Sequence, residues 1–141
     1  MTYEAVVIEL LGNAGDPVEY TFPASGTCVK GDLMFHETTT TQEVKHLTPV
    51  GSAYFAGIAS VDHTSGTNAT TKLACWTHGV FDLTTGSNCT TTLGVPVSMS
   101  GQLNCVGVAT VTSILDKAKI VGTALETTAA GNAGAVLVQK G

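Results

Sequence analysis

Short runs in which apolar and polar residues alternate recur along the chain, separated by clusters of Gly, Asn, Asp, Ser, Thr and Pro. Period-two alternation marks a strand with one buried face, and many such runs at close spacing predict a sandwich or barrel. The strongest run spans residues 72–83, where Leu73, Cys75 and Thr77 alternate with Ala74, Trp76 and His78 ahead of Gly79-Val80-Phe81-Asp82-Leu83. A turn at Lys30-Gly31-Asp32 leads into another strand, and 43–47, 54–61, 95–99, 103–111, 120–125 and 134–138 complete the set. The hydroxyl run 38–41, Thr48-Pro49-Val50-Gly51 and the polar stretches 62–68 and 84–92 read as connections. Pro96 belongs at a strand start or edge, since it cannot donate to a ladder. Only residues 113–118 read as helical, for a turn or two, with Ser113 placed to cap and Asp116 three residues on.

Three of the runs contain the same step, Gly, any residue, Ala: Ala56-Gly57-Ile58-Ala59, Val106-Gly107-Val108-Ala109 and Val121-Gly122-Thr123-Ala124. Glycine weakens a strand, so its repetition predicts three places where a neighbouring backbone or bulky side chain comes too close for a Cβ. That is the packing of a small closed β-structure. None of the three carries a nucleophile, a metal ligand or a phosphate cradle.

Residues 1–25 stand apart from 26–141. They hold Glu4, Glu9, Asp16 and Glu19, while the first basic residue is Lys30. Within them Val6, Val7 and Ile8 favour a strand over a helix because of their β-branching. Two readings follow, an extended arm that adds a strand to a partner through Glu4, Val6, Ile8, Glu9 and Leu10, or an ordinary first strand of the body.

With 141 residues the chain has room for one core, and only 12% of them are charged. Polarity is carried by hydroxyls instead, which suits exposed sheet faces and supports an all-β class. A surface so poor in charge predicts partial cover by other subunits. All six basic residues are Lys, and the formal net charge is −5. Phosphate and guanine recognition lacks its preferred side chain and meets overall repulsion, which argues against nucleic-acid binding. The start Met1-Thr2-Tyr3-Glu4 has no basic leader region, and Glu9 interrupts the apolar run that follows, so neither a signal peptide nor a membrane span is expected. Synthesis in a cytoplasm is the corresponding expectation.

Candidate chemistry is sparse. Cys28, Cys75, Cys89 and Cys105 form no C-x-x-C pair, and a cytoplasmic origin favours free thiols, with Cys89–Cys105 the one pairing left open. His36, His46, His63 and His78 show no metal-binding spacing and are expected in structural or surface roles, so no metal and no cofactor is expected. Asp32 and Asp82 could be imagined as an acid and base pair, but each sits where carboxylates complete turns or strand ends. Ser52 lacks a nucleophile elbow, and no catalytic residue is assigned. Asn68-Ala69-Thr70 and Asn88-Cys89-Thr90 match the glycosylation rule by chance in a Thr-rich chain. Trp76 and Phe81 are expected either in the core or as anchors of a subunit contact.

In their order and spacing, Gly31-Asp32-Leu33, Ala56-Gly57-Ile58-Ala59, Gly79-Val80-Phe81-Asp82-Leu83 and Ile120-Val121-Gly122-Thr123-Ala124-Leu125-Glu126, followed by Gly131 and Val136-Leu137-Val138, resemble the small capsid decoration, or cement, proteins of tailed bacteriophages. The similarity covers about residues 28–138 and leaves the acidic N-terminal segment outside it. It departs from the family at Gly94-Val95-Pro96-Val97, and the segments 84–92 and 109–119 look longer. The resemblance implies a compact β-barrel or β-sandwich that trimerises on the outer surface of the virion head and clamps neighbouring major capsid proteins. A carbohydrate-binding or adhesive β-domain is the competing class, with Tyr54, Phe55 and Trp76 as its candidate platform.

Overall fold

A computed structural model describes residues 4–10, 17–23, 26–36, 43–46, 54–64 and 71–139. The threonine run 38–41, the turn 48–51 and residues 65–70 of the polar loop lie outside them. Eleven strands are described: β1 (Val6–Leu10), β2 (Val18–Phe22), β3 (Leu33–His36), β4 (Val44–Lys45), β5 (Tyr54–Ala59), β6 (Thr71–Trp76), β7 (His78–Thr85), β8 (Pro96–Met99), β9 (Cys105–Val108), β10 (Ile120–Ala124) and β11 (Ala133–Gln139). The chain is all-β, as its alternation predicts, and Pro96 opens a strand. The predicted helix is a 3-10 turn, Ile114–Lys119, preceded by Ser113.

The strands form two sheets. One has the order β1-β7-β11-β10-β8-β9, and a parallel pairing of β9 with β7 closes its last five strands into a barrel. β7 achieves this by dividing one of its edges: Gly79 to Asp82 pair with β1, and Thr84 and Thr85 pair with β9. Its other edge runs against the whole of β11. The second sheet, β2-β6-β5-β3-β4, curls until a bridge between Thr21 and Glu43 links its first and last strands.

Two cores result. The barrel and the face of the curled sheet turned towards it enclose Leu33, Phe55, Ile58, Phe81, Leu83, Val97, Val106, Val121, Val136 and Val138, with Ala5 among them. Inside the curl lie Phe22, Cys28, Met34, Val44, Ala56, Ala59, Leu73 and Cys75, and Tyr20 closes it by donating its hydroxyl to the Ala56 carbonyl (3.0 Å). β5 therefore separates two apolar interiors, sending Phe55 and Ile58 one way and Ala56 and Ala59 the other. β6 and β7 form almost one strand, interrupted at Thr77, where the chain passes from the curled sheet to the barrel. Across that break the side facing the barrel core changes from Trp76 to the odd-numbered Phe81 and Leu83.

The three repeated glycines are close approaches, as their context predicts. A Cβ on Gly57 would lie 2.8 Å from the Trp76 carbonyl oxygen, and one on Gly107 would lie 3.0 Å from Cys89 Sγ. On Gly122 it would fall onto the carbonyl of Leu137 in the adjacent strand. Gly31 adds a fourth constraint, conformational as well as steric: its φ is +98°, and its carbonyl accepts the Ala5 N–H (2.7 Å) that ties the entry of β1 to the body.

Of the predicted arm, residues 4–10 and 17–23 are described, and they are paired. β1 lies along β7, with Val6 opposite Asp82 and Val7 opposite Phe81, and β2 lies along β6 from Val18 to Phe22. The reading of this segment as a strand of the body is what these residues display.

Candidate functional site

β1 is the end strand of the barrel sheet, and among the described residues β7 is its only strand partner. Because side chains alternate and Val7 faces the core with Phe81, Val6 must face outward, and it is 60% exposed. The register then shifts between Val7 and Glu9, leaving Ile8 in an irregularity and 53% exposed. An extra residue of this kind re-aims a side chain. Glu9 and Leu10 follow at the backbone positions opposite Val80 and Gly79.

Beside this strand runs a depression lined by Glu4, Val6, Val7, Val29, Lys30 and Asp62. The Lys30 N–H donates to Asp62 Oδ1 (2.8 Å), joining the two loops that form its far wall. Val29 is also exposed, so the depression sets the exposed Val6 and Val29 together with two carboxylates, Glu4 and Asp62, and with Lys30 beside the strand. Lys30 directs its ammonium 5.4 Å over the Trp76 ring, a cation–π contact. Trp76 itself packs against the barrel core with its centroid 5.9 Å from that of Phe81. Phe81 is completely buried, so of the two predicted anchors it is a core residue, whereas Trp76 is half-buried. Phe55 is also core and Tyr54 half-buried, so Tyr54, Phe55 and Trp76 do not make an exposed aromatic platform.

The strand signal points to Val6 and Ile8, but Val29, on the depression beside Val6, escapes sequence reading because it belongs to a loop, where a single apolar residue carries no periodicity. The strand expected over 54–61 ends at Ala59, which leaves Val61 outside it.

Asp32 is buried: its Oδ2 accepts the Val29 N–H (2.8 Å) and lies 3.1 Å from His46 Nδ1, while its Oδ1 accepts Asn104 Nδ2 (2.8 Å). Asn104 Oδ1 in turn accepts the Leu33 N–H (2.9 Å) and lies 3.0 Å from His46 Nε2. These contacts join a carboxylate, an amide, an imidazole and backbone N–H groups, with no nucleophile among them. Asp82 is on the outward row of β7, opposite Val6 and Ala135. His63 Nδ1 meets the Gly26 carbonyl at 3.0 Å, and His36 Nδ1 meets that of Glu43 at 3.3 Å. Among the described residues no three His, Cys, Asp or Glu side chains are grouped to hold a metal ion. All four cysteines are free thiols; burial pushes Cys105 up, and Cys28 is pushed up to about 11 by burial first and by the Asp32 carboxylate second.

No protein-family model matches the chain, and no curated protein is similar to it.

Proposed function

We propose that this protein is a structural component of a bacteriophage virion that sits on the outside of the head and clamps neighbouring major capsid proteins. The observation that carries the reading is an edge strand with Val6 and Ile8 exposed, beside a depression that Val6 shares with the exposed Val29 and with Glu4, Lys30 and Asp62. Soluble proteins usually blunt a sheet edge with lysines or proline, and an aliphatic edge left open is a surface for another chain. Its acidic rim and the net charge of −5 favour a basic partner surface. The role asks for contact area on an assembled lattice and for no chemistry. Binding only the assembled shell stabilises it by mass action, and three copies joined as a trimer convert weak individual feet into avidity.

The test is cosedimentation with expanded, undecorated heads. The full chain is expected to pellet with them, and the double variant Val6→Thr, Ile8→Thr to bind at least about tenfold more weakly, since each change removes apolar contact at the centre of the surface. A chain that stays in the supernatant with heads, but is retained in a glycan screen, would replace this reading with the carbohydrate-binding one.

A further inference from the structure

The barrel has one covered end and one open end. Asn104, just before β9, bonds Asp32 and the Leu33 N–H of the curled sheet, so the start of β9 points towards that sheet. The strand directions then gather the last residues of β7, β9 and β10 and the first of β8 and β11 at the opposite end. Val108 shows that this end is open. It stands opposite Val97, whose side chain lies in the barrel core, so it points the same way, yet it is 48% exposed. Leu93 and Leu125 stand beside it, 63% and 40% exposed, on chain ends joined by the Gly94 N–H and the Ala124 carbonyl (2.8 Å). A Cβ built on Gly94 would have nothing within 4 Å.

The charge of the molecule is placed elsewhere. Residues 83–115 contain no Asp, Glu, Lys, Arg or His. Over 120–139 the one charged residue is Glu126, whose Oε1 accepts the Ala135 N–H (2.8 Å). Glu4, Asp62 and Asp82 lie beside β1, while Glu19 and Glu43 belong to the curled sheet. On a chain with a formal net charge of −5, copies meeting through those surfaces would set carboxylate against carboxylate. The open end instead brings aliphatic and hydroxyl groups together. A basic partner finds little to pair with there and is better matched by the β1 side. A contact centre depleted of charge and rich in apolar side chains is the composition of an interface between like subunits.

We propose that copies of this chain associate through the open end of the barrel, with Leu93, Val108 and Leu125 at the contact and the β1 edge outside it. In the trimer of the reading above, this is the contact that joins the subunits, and it does not depend on what β1 binds. The occupant of the open end is a second copy because that surface is neutral on an otherwise acidic chain, and so is complementary to itself.

The experiment uses the full chain. Sedimentation velocity at about 0.1 mM is expected to find an oligomer, and Leu93→Asp, Leu125→Asp, which puts carboxylates on two exposed positions, is expected to associate at least about tenfold more weakly. Val6→Thr, Ile8→Thr is expected to associate as the wild type does. In the methyl-labelled wild type with a soluble paramagnetic probe, the signals of Val6 and Ile8 should broaden, while those of Leu93, Val108 and Leu125 should be shielded. A wild type that is monomeric at about 0.1 mM overturns the proposal, as does an oligomer in which Leu93, Val108 and Leu125 broaden as Val6 and Ile8 do. Both of those readouts come from the wild type, so the outcome does not depend on a variant folding. A chain that self-associates with these residues shielded, yet fails to pellet with heads, supports this contact while overturning the proposed function.

Discussion

At the scale of single residues, the most demanding positions carry no side chain. Gly122→Ala would drive a methyl group into the Leu137 carbonyl across the β10–β11 ladder, and the expected loss is at least about 3 kcal/mol in urea unfolding. Gly101 has nothing within 4 Å of its Cβ position, so Gly101→Ala should stay within about 0.5 kcal/mol in the same measurement. The demand at Gly122 was legible in the sequence because glycine weakens an alternating run unless a neighbour needs the space a Cβ would fill. The Asp32, His46 and Asn104 cycle was not. Its members lie up to 72 positions apart, and only the turn at Asp32 leaves a local trace. The thiols give a second residue-level expectation. With Cys28 and Cys105 buried and pushed up and Cys75 buried, a thiol reagent at about pH 8 should modify the half-buried Cys89 first, and reductant should leave the melting temperature unchanged.

Among the elements, β1 is the one whose character alternation alone could not decide. Val6, Val7 and Ile8 are consecutive and apolar, so the pattern shows a strand without showing which face is inward; pairing with β7 supplies that answer. Removing residues 2–20 would take away β1, Ala5 from the barrel core and part of β2, so the truncated chain should aggregate or melt at least about 10 °C lower by calorimetry. Val6→Thr, Ile8→Thr keeps those pairings and should leave the melting point nearly unchanged while head binding falls, which separates folding from docking. The short 3-10 turn offers a pH-dependent counterpart. Asp116 is lowered to about 2 because the Thr112 N–H and hydroxyl and the Ser113 N–H all bond its carboxylate. A depressed carboxyl supports its element above the ordinary value of 3.8 and loses that support as pH falls through about 2, so amide shifts of Thr112 and Ser113 should move together only in strong acid.

For the molecule as a whole, the all-β class was readable because the apolar runs are short, alternating or rich in β-branched residues, and bounded by turn residues, while almost no polar face has helical spacing. The division into a closed barrel and a curled sheet was not, since it depends on a parallel pairing of β7 with β9 and on the crossing at Thr77, neither of which marks its own sequence. The proposed trimer must assemble against a charge of −5 on every copy, so sedimentation velocity should find less of it at about 0.01 M salt than at about 0.15 M, where repulsion is screened. The order of strands along the chain has a further consequence for biosynthesis. The curled sheet is assembled from residues 18–76 and the barrel from residues 78–139, with one exception: β1 emerges first but pairs with residues 79–82. A ribosome therefore makes β1 before any other described strand, and five further strands follow before β7, the one that pairs with it. Throughout that interval β1 lacks its partner, and stalled chains ending before β7 should be the species that bind chaperones or aggregate.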